Sequence, residues 1–214
     1  MKPTPPNYLP LAKTILDFGH VFRLTRDAQG RRESDTTHSL MLALVAYDLA
    51  RKENEALLYC TTGEPLNLEK VLVFSLVHDL PEVYAGDTPT LRELDAASQL
   101  GKDAREELAR KQLRAELPDL PWLLDAMEEY ELQQCREARL VKAADKLLPK
   151  LTHMCNDGLV LKEQGVSLEE VAARIERQRH QQRVRDLPVT AAALRDAGIS
   201  MIAHLRGCGF GGAS

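Results

Sequence analysis

No apolar run in the sequence approaches the ~18 residues that cross a bilayer, and the N-terminal residues lack the apolar core of a signal peptide. A membrane-embedded or exported chain is therefore not expected. Cysteine is sparse. Cys60, Cys135, Cys155 and Cys208 form neither a C-x-x-C pair nor the spacing of a disulfide scaffold, which fits a reduced cytoplasm. Neither Cys60 nor Cys155 has an identifiable base partner, which disfavours a cysteine nucleophile. Excess charge of one sign is also lacking. The 28 Lys and Arg against 32 Asp and Glu leave a formal net charge of −4, so no general grip on a nucleic-acid polymer or an anionic membrane is expected. No segment alternates long enough to argue for a sheet, and no internal repeat of 20–50 residues is visible.

What is present is helical periodicity over most of 214 residues, a length that suits one domain with a large core. Stretches such as "HSLMLALVAYDLARK", "LEKVLVFSLVHDL" and "EARLVKAADKLLPKLTHM" repeat apolar residues at three and four. Pro121 and Pro188 suit first helical turns, Ser167 with Glu170 reads as a capping box, and Trp122 reads as a core anchor near a helix start. The expected class is all-α: a single globular bundle of six to eight helices. Residues 11–206 form the domain with its C-terminal helices. The Pro-rich residues 1–10 and the Gly-rich residues 207–214 are expected to be flexible.

Several polar residues fall on the wrong faces of these helices. His38 shares a face with Leu42, Val45 and Leu49. His78 follows Phe74 and Val71 by one and two turns, and Asp79 follows Leu76 and Leu72 at three and seven. Asp145 falls in the stripe of Ala138, Val141 and Leu148. Each has an ordinary explanation alone: a core histidine bonded to backbone, a helix-end carboxylate, or an Asp145 paired with Lys146 or Lys142. Together they require two imidazoles and two carboxylates to be buried from three helices, and charge is not buried without compensation. One divalent transition cation supplies a common cause, with Mn²⁺, Co²⁺, Zn²⁺, Fe²⁺ or Ni²⁺ suiting nitrogen and oxygen donors and Mg²⁺ a poorer fit. Glu82 lies one turn beyond His78, and Asp87 follows Gly86, a residue that lets the backbone turn back.

His38, the "HD" of 78–79 and Asp145 resemble the H…HD…D signature of the HD-domain phosphohydrolases. "ESDTTHSLMLALVA" and "HDLPEVYAGDTPT" are similar to segments of the bacterial HD-domain 5′-deoxynucleotidases, over roughly residues 10 to 160. This resemblance implies that His38, His78, Asp79 and Asp145 ligate a single divalent metal. It implies that Glu82 and Asp87 act in catalysis and that Arg23, in "FRLTR", contacts substrate phosphate. The implied partner is a nucleotide, and the implied reaction releases phosphate from deoxynucleoside 5′-monophosphates. A dNTP triphosphohydrolase with the same core chemistry is the alternative, and a metal- or nucleotide-binding regulator is the alternative outside enzymes. Relatives commonly form homodimers, and the location implied is cytoplasmic. Two departures stand out. Pro81 lies inside the HD segment, where it kinks or ends a helix, and Leu24 stands where the branch can carry a Trp near the nucleotide.

Past residue 160 the sequence has no such resemblance. Arg174, Arg177, Arg179, Arg183 and Arg185, with His180, are interspersed with Glu169, Glu170 and Glu176 and read as a solvated face, with the border of a substrate entrance or of a partner subunit as the alternative. His20 is not expected to be a ligand, and His153 is expected in the core or a pocket wall.

Overall fold

The structure is a computed structural model describing residues 8–59, 63–88, 95–181 and 184–210, without the side chains of 179–181. Cys60, Arg183, the side chains of Arg179 and His180, and the expectations for residues 1–7 and 211–214 lie outside that description. In order come α1 (Leu9–Phe18), β1 (Phe22–Arg26), β2 (Arg32–Ser34), α2 (Asp35–Leu57), α3 (Leu68–Val77) and α4 (Glu82–Ala85). Then follow α5 (Ala96–Glu116), α6 (Pro121–Leu132), α7 (Arg136–Cys155), α8 (Leu159–Glu163), α9 (Leu168–Gln181) and α10 (Pro188–Gly207). Among the described residues the fold is all-α apart from the β1–β2 hairpin. Eight helices have ten or more residues, and α4 and α8 are single turns.

The hairpin corrects the expectation that no sheet forms. Strands of five and three residues are too short for a period of two to be legible. The hairpin is held instead by its turn: Asp27 accepts the Gln29 and Arg31 N–H groups, and Gly30 adopts φ 79°. The Arg32 guanidinium adds bonds to the carbonyls of Phe22 and Arg23. The result is a short antiparallel platform that fixes Arg23.

Helix boundaries follow local chemistry. Ser34 caps α2 by accepting the Thr37 N–H, and Asn67 caps α3 by accepting the Lys70 N–H. Pro121 and Pro188 open α6 and α10 as expected. Ser167 and Glu170 form the expected reciprocal box at 2.8 and 3.1 Å. Trp122 is not the expected core anchor. It is 54% exposed, because the next residues, Leu123, Leu124 and Met127, occupy the inward face of α6.

The main core joins α2, α3, α7 and α10 through Leu42, Leu49, Phe74, Leu140, Leu148 and Leu194. Ala46, Ala50, Ala138 and Ala144 are fully buried between these helices, and their small side chains allow close approach of the backbones. Buried Glu53 on α2 accepts the Thr190 N–H at 2.7 Å, satisfying an orphan donor at the start of α10 with a negative charge. Among the described residues, no helix is long and apolar enough to cross a membrane.

Leu42 is fully buried one turn beyond His38. Leu42→Ala should cost about 2–5 kcal/mol, read as a lowered denaturant midpoint with an unchanged slope.

Candidate metal centre and adjoining cavity

The Ser34 cap starts α2 so that its second turn carries His38 inward, with only 1% of the residue exposed. His38 Nδ1 lies 3.1 Å from Glu33 Oε1, and Nε2 lies 3.1 Å from Asp145 Oδ1 on α7. The Glu33 carboxylate accepts the Nδ1 proton, which fixes the ring and directs Nε2 toward Asp145. Burial opposes a charged His38, yet the bonds to Asp145 and Glu33 outweigh it and push the imidazole up to about 9.

Pro81 ends one helix and begins the next. α3 stops at Val77, His78 caps it, and α4 starts at Glu82 with Pro81 at its N-cap. The linking turn is closed by the Glu82 N–H donating to the Asp79 carbonyl at 2.8 Å. That turn also corrects the helical-face reading of Asp79. Leu76 is 51% exposed, so the stripe through Leu76 does not face the core, and Asp79 reaches the centre because the helix has already ended.

His78 Nδ1 donates to the Ser75 carbonyl at 3.0 Å. Its Nε2 is buried and makes no hydrogen bond, although Asp79 Oδ2 lies 2.9 Å away. Despite burial, His78 and the Arg23 guanidinium hold Asp79 below the usual carboxylate range. Asp145, on the buried stripe of α7, spends one oxygen on His38 and the other on Lys146 Nζ at 2.8 Å. The pairing expected as its ordinary explanation and the inward orientation therefore both occur.

His38, His78 and Asp79 each offer one ligand atom within 4.8 Å of the others, and Asp145 adjoins through His38. Asp35, Asp79 and Glu82 form a second such group that shares Asp79. An unpartnered imidazole lone pair beside carboxylate oxygens is a donor set that fits a divalent transition cation. All four residues expected as ligands are thus brought together. Asp35 is an addition. It is fully buried with Oδ2 unpartnered, and in the sequence it passes for the acid that usually follows an N-cap.

Arg23 reaches in from β1. Its Nη1 lies 2.6 Å from Asp79 Oδ2, 3.1 Å from Asp35 Oδ1 and 3.9 Å from Glu82 Oε2. Glu82 Oε2 is buried without a hydrogen bond. Burial, followed by the Asp79 and Asp35 charges, pushes Glu82 up to about 10. Asp87 follows Gly86, whose φ of 71° supplies the expected turn, and burial raises its carboxyl above the ordinary range.

A cavity of about 420 Å³ opens beside this cluster. Arg23, Asp87 and Asp145 line it, and so do His153 on α7 and Arg174 and Arg177 on α9. His153 is a wall residue, as expected. The solvated-face reading of α9 holds only in part, because half-buried Arg174 borders the cavity. His20 is exposed, with Nδ1 2.8 Å from the Leu16 carbonyl.

A family model described as "HD domain" matches residues 19–186. The chain is 38% identical over 88 residues to the 5′-deoxynucleotidase HDDC2 of Bos taurus, covering 40% of this chain and 42% of that one. It is 32% identical over 120 residues to the 5′-deoxynucleotidase YfbR of Escherichia coli, covering 55% and 57%. These alignments span about half the length of the curated relatives. Among solved structures, the chain is similar to a protein from Magnetospirillum magnetotacticum described as a predicted metal-dependent phosphohydrolase. The TM-score is 0.66 at 27% identity, over 96% of this chain and 99% of that one.

Purified protein incubated with Mn²⁺ or Co²⁺ and desalted should retain about one ion per chain by elemental analysis. Asp79→Asn should lose it, and full retention by that variant would refute the coordination.

Proposed function

The chain belongs to the HD-domain family of hydrolases, and on that premise we propose that it releases phosphate from deoxynucleoside 5′-monophosphates. His38, His78, Asp79 and Asp145 would hold its divalent cation. The reading rests above all on one geometry: imidazole and carboxylate atoms from α2 and the α3–α4 turn, within 4.8 Å of one another, beside Arg23, Glu82 and a cavity. The substrate class follows that of the two proteins it resembles, both named 5′-deoxynucleotidases.

When bound, the cation supplies Lewis acidity toward a phosphoryl oxygen and lowers the pKa of water. The remaining steps belong to the protein. Arg23 gives its planar guanidinium to the phosphate, exchanging part of its contact with Asp79 and Asp35 for the substrate's oxygens. Glu82 takes the proton of the attacking water as its oxygen bonds to phosphorus. A cation held by Asp79 would offset the carboxylate charge that raises Glu82, and so favour its ionised, basic form. Asp87, whose carboxyl is raised by burial, delivers a proton to the 5′-oxygen as the ester bond breaks. The products are a nucleoside and inorganic phosphate. A regulator that only binds nucleotide gains nothing from a buried Glu82 beside the ligands.

Glu82→Gln tests the assignment. Its kcat for phosphate release from deoxynucleoside monophosphates should fall about 10²–10⁴-fold with metal content unchanged. Turnover at the wild-type rate would remove Glu82 from the mechanism.

A further inference from the structure

Away from the metal centre, three side chains of different chemistry converge where α10 ends. His204 and Cys208 lie one turn apart there, with Cys208 as the C-cap. Asp157 meets them from the turn between α7 and α8. Its Oδ1 lies 2.8 Å from His204 Nε2 and 3.4 Å from Cys208 Sγ, and that sulfur lies 3.6 Å from the same Nε2. An imidazole, a thiol and a carboxylate thus place their ligand atoms within 4.8 Å of one another at the surface.

The backbone holds these segments together. Gly158 has a φ of 68°, and a Cβ there would stand 2.6 Å from Leu205 Cδ2 and 3.1 Å from the Phe210 ring. Glycine therefore permits the turn to approach α10 so closely. Asp157 is itself left-handed at φ 51°, a conformation that few side chains adopt. Beneath the turn, Leu205 and Phe210 are buried in one apolar cluster with Leu161 of α8. Asn156 donates to the Arg26 carbonyl at 2.6 Å, which anchors the same turn to the hairpin.

Two other roles fit this geometry less well. A cysteine nucleophile with a histidine base requires the thiol and the orienting acid on opposite ring nitrogens. Here both face Nε2. An exposed His204–Asp157 ion pair gives the thiol no part, and such pairs contribute little. A shared cation accounts for all three contacts. Bonds of ~2.0–2.3 Å in a tetrahedral arrangement put such donors about 3.3–3.6 Å apart. Both separations that involve sulfur already match. The Asp157–His204 contact has to open by about half an ångström once its proton leaves.

We propose that Asp157, His204 and Cys208 form a second divalent-cation site, selective for Zn²⁺, that ties the end of α10 to the α7–α8 turn. Thiolate and carboxylate neutralise the dication, the imidazole adds a third bond, and water takes the fourth position. The thiol proton passes to solvent on binding. Sulfur distinguishes this site from the nitrogen and oxygen donors of the central cluster. Open to water, it exchanges its ion and is read with metal in solution.

The full chain titrated with Co²⁺ should develop a thiolate-to-metal charge-transfer band in the near ultraviolet, which nitrogen and oxygen donors alone do not produce. Added Zn²⁺ should erase the band, and Mn²⁺ should not. Zn²⁺ should also slow alkylation of Cys208 by about tenfold or more, followed by mass spectrometry of its peptide. Cys208→Ser and His204→Ala should lose the band, whereas Cys155→Ser and Asp79→Asn should keep it. No band in the wild type, a band that persists in Cys208→Ser or His204→Ala, or one lost in Cys155→Ser or Asp79→Asn would overturn the site. None of these readouts needs turnover, so the result stands apart from the hydrolase reading.

Discussion

Everything in this molecule is arranged around charge that has been taken out of water. Asp35, Asp79, Glu82 and Asp145 approach one another with the rings of His38 and His78, the ring centroids 5.6 Å apart. Carboxylates so close repel strongly in a low-dielectric interior. Two consequences follow for the protonation of the cluster. Asp79 is held ionised by His78 and Arg23, whereas Glu82 is driven toward its neutral form by burial and by Asp79 and Asp35. Neighbouring acids pushed in opposite directions are the usual mark of a site that moves protons.

Such a cluster needs a frame that cannot yield, and the fold provides it in layers. Buried alanines let α2, α3 and α7 approach closely. Glu33 and the Ser75 carbonyl hold the Nδ1 atoms of the two imidazoles, which fixes both rings and frees Nε2 of His78. The Glu53–Thr190 bond ties α10 to the same α2 that carries His38. The hairpin brings Arg23 across the opening, where its guanidinium is the positive charge nearest Asp79 and Asp35. Side chains that must meet within an ångström are thereby mounted on packed elements rather than free loops.

The cavity extends the same electrostatic logic outward from α7. It is lined by Arg23, Asp87 and Asp145 from the acidic cluster and by Arg174 and Arg177 from α9. Asp145, Lys146, Lys150 and His153 follow in succession along α7, so a single helix contributes all four to its lining. Leu24 also lines this space, so the wall beside Arg23 is aliphatic there.

Much of this was legible along the chain. The helical class, the caps at Pro121, Pro188 and Ser167, and the inward faces of His38, His78 and Asp145 are all local consequences of a 3.6-residue period. Pro81 announced the break that presents Asp79 and Glu82. Illegible were the β1–β2 hairpin, the exposure of Trp122, the membership of Asp35 and the inward role of Arg174. Each depends on a partner distant in sequence: Asp35 matters only because Arg23 and Glu82 fold against it, and Arg174 only because α9 packs across α7. The sequence by itself therefore determined which side chains leave the helices on the buried side, since that is set by backbone geometry within a few residues. Tertiary structure alone decided which of them meet, because the energy of a buried charge is set by neighbours that only packing can supply.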